Sequence, residues 1–226
     1  NAQTLMLDGV AFQLKDNHDF KWLRDLGEVF FVFDQQDSGN ISFGVQKGNV
    51  KRFVKYAGAQ TFNYVGEPID AIKKLKNAKK VYEDLEHPHL VKLVQHLELP
   101  SGFALVFEWV NALNIQKNSN LTSAHQRFKK LPIELRLQSL TSIFEFHVHV
   151  ERNNYVALDF YDGSILYDFE QHITKICDVD LYHVKPFYNQ MGRLWGSSRF
   201  MSPEEFNLAS EIDGRSNVFN MGATAF

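Results

Sequence analysis

Between Tyr155 and Asp180 the chain reads YVALDFYDGSILYDFEQHITKICDVD, two short β-prone runs that each deliver a carboxylate. The apolar run Ile165-Leu166-Tyr167 follows a polar loop, and Ile176-Cys177 precedes Asp178. This pattern predicts a hairpin that sets Asp159 and Asp178 at one edge of a cleft. Two carboxylates so placed suit metal-assisted phosphate chemistry, one accepting a proton from an attacking hydroxyl while the other holds the magnesium that neutralises the phosphates. Spacing alone also allows a plainer reading, two solvated turn aspartates, because Asp is a common turn residue.

Ordered motifs around this stretch narrow the choice. Asp159 and Asp178, with Ser164 between them, resemble the catalytic and metal-binding segments of protein kinases, H-R-D-L-x-x-x-x-N followed by D-F-G. Downstream, Gly196-Ser197-Ser198-Arg199-Phe200-Met201-Ser202-Pro203-Glu204 resembles G-T-x-x-Y-M-x-P-E, and Asn217-Val218-Phe219-Asn220-Met221-Gly222 resembles D-V-x-S-x-G. The resemblance is to a divergent bacterial serine/threonine protein-kinase-like protein. It implies an α+β, two-lobed protein-kinase-like fold, with an antiparallel β-rich small lobe over residues 1–110 and a mainly α-helical large lobe over 111–226, cut off after the helix that contains Asn217.

For the small lobe the residues themselves argue strands and one helix. Val29-Phe30-Phe31-Val32-Phe33 is β-prone, the turn-rich Asp34–Asn40 follows, and Ile41 to Val45 completes a hairpin. The resemblance makes this the phosphate-loop hairpin, with Gly39 and Ile41 against the nucleotide, although Asp34 and Gln36 stand where the first two glycines belong. Lys55 on the next strand takes the place of the lysine that pairs with the α- and β-phosphates. Phe53 replaces the small residue over the adenine and is expected to narrow that site. Ala71, Leu75, Ala78, Val81 and Leu85 recur at helical spacing from Pro68, and Ala78 occupies the place of the glutamate that pairs with the lysine. Phe103 to Val110 resembles the fifth strand and hinge, putting Phe107, Glu108 and Val110 against the adenine. His87 and His89 have a metal-like spacing without a third ligand nearby.

Asn111 to Lys130 is polar and reads as a linker or exposed insertion. Pro132 opens a long helix whose apolar stripe is Ile133, Leu137, Leu140, Phe144 and Val148, with His147 and His149 read as packing or surface residues. In the catalytic loop Ala157 and Leu158 stand for H-R, Tyr161 for the lysine and Ser164 for the second metal ligand. Asp180 replaces the D-F-G glycine, either as a substitute metal ligand with Asp178 or as the cap of a turn.

The function implied by the resemblance is transfer of the γ-phosphate of ATP, with magnesium, to a hydroxyl of a protein or peptide substrate. Asp159 and Lys55 are then catalytic, and Asp178, Ser164 and Asp180 face the metal. The alternative is a pseudokinase, a binding or regulatory module that keeps the architecture without turnover. Net charge of −3, from 24 basic and 27 acidic residues, argues against a nucleic-acid surface as the main partner. One cysteine, Cys177, excludes an intramolecular disulfide framework and points to the cytoplasm, and no apolar run approaches the length of a membrane span.

Overall fold

The computed structural model describes residues 2–117, 120 and 122–225. The chain divides into two compact units, one made of Asn1–Lys80 and Lys92–Trp109, the other of Val81–Val91 and Val110–Phe226.

The first unit begins with a hairpin of β1 (Gln3–Leu7) and β2 (Val10–Leu14). Asp8 and Gly9 form its two-residue turn with φ of 48° and 84°, the left-handed pair that an Asp-Gly hairpin turn adopts without penalty at glycine. Next come β3 (Glu28–Phe33), β4 (Asn40–Lys47), β5 (Val50–Ala57), helix α1 (Pro68–Asp84), whose residues from Val81 on are counted with the second unit, β6 (Leu93–Leu99) and β7 (Gly102–Glu108). The larger sheet is antiparallel in the order β3-β4-β5-β7-β6. Strand alternation sorts its side chains by face. Ile41, Phe43, Val54, Tyr56, Ala104 and Val106 enter the core, where Phe12, Leu14, Phe20 and Leu23 pack with them.

Two glycines lock the end of β5 to the start of β7. A Cβ on Gly102 would lie 2.1 Å from the Ala57 carbonyl oxygen, and one on Gly58, at φ 142°, would lie 2.2 Å from that of Ser101. Backbone cannot step aside as a flexible side chain does. Gly102→Ala is therefore expected to cost about 3 kcal/mol of stability, the upper end for overpacking, read as a lower urea midpoint at unchanged slope.

The second unit contains β8 (Leu113–Asn114), α2 (Ala124–Lys129), α3 (Ile133–Arg152), β9 (Tyr155–Val156), β10 (Ile165–Asp168), β11 (Ile173–Ile176), β12 (His183–Val184), β13 (Phe187–Tyr188), β14 (Glu211–Ile212) and α4 (Gly214–Ala225). Its strands form three small antiparallel sheets, β11-β10-β8, β12-β9 and β13-β14. Val156, Leu158, Leu194, Met201 and Ile212 make a local core.

This overturns the expected fold class. Among the described residues fourteen strands in five antiparallel sheets stand against four α-helices, and about 30 % is helical. The structure is mostly β, and it is not a two-lobed kinase fold with a mainly helical large lobe. The physical reason is that two-residue strands such as β9 and β12 pair Val156 with His183, too short to leave a periodic trace in sequence.

Two local expectations also change. The segment read as linker includes β8 and α2, the latter capped by Ser123, whose hydroxyl accepts the Gln126 N–H; Asn118, Ser119 and Leu121 of that segment lie outside the described residues. Helix α3 buries Ser139, Ile143, Phe146, His147 and Val150, while Ile133, Leu137 and Val148 of the expected stripe are about half exposed, at 49 %, 53 % and 47 %. No helix among the described residues is long and apolar enough to cross a membrane.

Candidate functional site

The sequence-predicted residues fall into both units, and each unit is taken by itself. In the first, Lys55 lies on β5 with 6 % exposure, in register with Ser42 on β4 and Leu105 on β7. Ile41 pairs with Tyr56, the next residue on β5, so it belongs to the opposite face and to the core. Gly39, at φ 84°, packs against protein: a Cβ there would meet Ala71 at 2.8 Å and the Tyr64 ring at 2.9 Å. Asp34 accepts the Gln13 N–H at 2.7 Å, and Gln36 accepts from the Ser42 hydroxyl at 3.4 Å. The turn from 34 to 40 is thus tied to its own unit by side chains.

Phe53 shares the Lys55 face, two residues away, and stands between two other rings. Its centroid is 5.6 Å from Phe33 and 6.3 Å from Phe107. Phe107 is buried, whereas Glu108 is exposed, pairs with Lys92 at 3.7 Å and gives its N–H to the Lys92 carbonyl. Val110 belongs to the second unit. Ala78 is fully buried in α1, so its position supplies no acid.

In the second unit β10 and β11 form the expected hairpin, with Ile165 opposite Ile176 and the Cys177 N–H bonded to the Ser164 carbonyl at 2.9 Å. Asp159 and Asp178 are both left-handed, at φ 60° and 58°. Non-glycine residues take this conformation at a cost, and such positions gather at functional sites. Asp178 is exposed and Asp159 half-buried. The two carboxylates act on the same phenols. Burial, then Asp178, then Asp159 push the Tyr161 hydroxyl up to about 12. Burial raises Tyr182 well above the usual phenol range, and Asp159, Cys177 and Asp178 add to it. Both tyrosines are accordingly neutral near pH 7.

Helix α4 holds the Asp159 loop on both sides. The Asn217 side chain accepts the Ala157 N–H at 2.8 Å and donates to the Tyr155 carbonyl at 3.0 Å and Glu151 at 2.7 Å. Asn220, one turn on, donates to the carbonyls of Phe160 and Phe200, each at 3.1 Å. Gly196 closes over the carboxylate: a Cβ there would lie 3.4 Å from Asp159 Oδ1. Truncating Asn217 orphans a buried N–H and a buried carbonyl. Asn217→Ala is expected to lose about 3 kcal/mol of stability, measured by urea denaturation of the whole chain.

The other metal-facing candidates are engaged elsewhere. The Tyr82 hydroxyl donates to Asp180 at 2.6 Å, within the same unit. Ser164 is fully buried, and its hydroxyl accepts the Tyr161 N–H at 3.5 Å. Among the described residues no group of three or more His, Cys, Asp or Glu is arranged to hold a metal ion. His87 and His89 face each other at 5.3 Å, and His89 Nε2 meets Glu145 at 3.1 Å. Asp159, Asp178 and Asp180 are carboxylates, the ligand type through which a magnesium ion that arrives with phosphates and keeps its waters would be held.

Sequence reading passed over Tyr82 and Tyr182, while His147, read as a packing or surface residue, is buried. The two asparagines of α4, three residues apart on one helix face, were the available signal for the anchor under the loop. Searched against protein-family models, the chain matches none.

Proposed function

We propose that the chain is a phosphotransferase that moves the γ-phosphate of ATP, with magnesium, to a hydroxyl of a protein or peptide in the cytoplasm. The observation that carries this reading is that Asp159 and Asp178 stand on two left-handed turns of one unit and that both add to the upward shift of the Tyr161 and Tyr182 hydroxyls. Asp159, held between the anchored Ala157 and Phe160, accepts the hydroxyl proton. Asp178, the more exposed carboxylate, is the ligand for magnesium. Magnesium supplies neutralisation of the phosphate charge. Asp180 as an auxiliary ligand completes the proposal; the Tyr82 hydroxyl bond would have to yield for it to serve.

A binding module without turnover is the second reading, and specific observations favour it. Ser164 is sealed in the interior, Asp180 is bonded to Tyr82, and a neutral phenol stands at position 161 where a cation would stabilise the transferring phosphoryl group. Titration of ATP with and without magnesium separates the readings, because a ligand of the folded state raises the melting temperature by mass action. A magnesium-dependent rise, lost in Asp178→Asn and accompanied by transfer, supports the enzyme. A rise without transfer supports the binding module, and no rise at millimolar ATP overturns the phosphotransferase reading.

A further inference from the structure

We propose that His147 is a positioning residue that sets the spacing of Asp159 and Asp178 by fastening together the two loops on which they stand. The assignment concerns geometry; its consequence for metal binding rests on the phosphotransferase reading.

His147 belongs to the buried face of α3 and is 3 % exposed. Its Nδ1 lies 2.8 Å from the Ile143 carbonyl, one turn earlier on the helix. A carbonyl only accepts, so Nδ1 carries the hydrogen and Nε2 of the neutral ring is left as an acceptor. That Nε2 is 2.8 Å from the Tyr182 hydroxyl, which therefore donates to it. Tyr182 ends the segment that begins at Asp178, and its own N–H bonds to the Val179 carbonyl at 3.0 Å. The same imidazole packs edge-on against Phe160, centroids 4.4 Å apart and planes at 63°. Phe160 is the residue after Asp159, and its carbonyl is fixed by Asn220.

One rigid side chain thus touches the Asp159 loop by packing and the Asp178 segment by a hydrogen bond. The tautomer is set by the helix itself, which is how an outer partner orients a functional group without contacting substrate. Phenylalanine in its place fills the volume but strands the buried Tyr182 hydroxyl. Glutamine retains an acceptor for that hydroxyl but loses the ring that packs on Phe160.

The test is amide hydrogen exchange on the whole chain, comparing residues 159–162 with 178–182. His147→Phe is expected to speed exchange at least tenfold in 178–182, with a smaller change in 159–162. His147→Gln should restore protection to 178–182 and loosen 159–162. Tyr182→Phe, which removes one oxygen and keeps the fold testable should the His147 variants not fold, should loosen 178–182 alone. Unchanged exchange at 178–182 in Tyr182→Phe, or in a folded His147→Phe, overturns the assignment. A second arm titrates Mn²⁺ with ATP by water-proton relaxation. Weakening by tenfold or more in His147→Phe supports the functional consequence. A wild type that binds no Mn²⁺ while the exchange pattern holds leaves His147 as assigned and removes the phosphotransferase reading instead.

Discussion

Asp159→Asn is expected to lower phosphate transfer by about 10²–10⁴-fold, the range for removing a general base, while magnesium-dependent binding of ATP persists. The proposed step forms a bond between the acceptor oxygen and the γ-phosphorus and breaks the bond from that phosphorus to the bridging oxygen of ADP. The acceptor proton goes to the Asp159 carboxylate. Asparagine keeps the size of the side chain and tolerates the left-handed backbone at φ 60°, so the backbone accommodates the change and proton acceptance is lost. Asp178→Asn should behave differently, weakening the magnesium-dependent part of ATP binding before transfer is considered, because an amide is a poorer magnesium ligand than a carboxylate. Steady-state transfer assays beside thermal shifts separate the two. Equal transfer by wild type and Asp159→Asn would remove Asp159 from the chemistry.

The second large effect is on stability against pH. Burial lowers His147 from its usual 6.5 to about 4, and the bond to the Ile143 carbonyl only partly opposes the shift. Between those values the unfolded chain holds a proton that the folded chain does not, so stability falls as the solution is acidified. His147 stabilises fully above about pH 6.5, and its contribution is gone below about pH 4, a change of about 3 kcal/mol. His18 and His87 are also lowered, chiefly by burial, with the neighbouring His149, His89 and Lys175 adding to the shift at His87, and both tilt the wild-type profile the same way. The His147 share is isolated by comparison with His147→Gln, whose urea-derived stability should vary less across this window. Parallel profiles for the two proteins would refute the assignment of the slope to His147.

What sequence disclosed followed the length and regularity of each element. Strands β3, β4, β5 and β7 and helices α1 and α3 carry long periodic or β-branched and aromatic runs, and such runs signal themselves. The hairpin bearing Asp178 was readable for the same reason. The face of α3 was misjudged because it has apolar residues on two sides, Ile133 and Leu137 outward and Ile143 and Phe146 inward, and period alone cannot rank two stripes. The Asp8-Gly9 turn was readable and passed over, whereas the bonds of Tyr82 to Asp180 and His147 to Tyr182 join residues 98 and 35 positions apart. Pairings at that range come from tertiary packing, and no local pattern announces them.

The left-handed turns at 159 and 178 bear on how this site survives mutation. Asparagine and glycine suit that backbone at least as well as aspartate does, so the left-handed turn by itself sets no preference for a charge at either position. If the two carboxylates serve the proposed chemistry, a deep mutational scan scored separately for abundance and for ligand binding should diverge most sharply at these two positions.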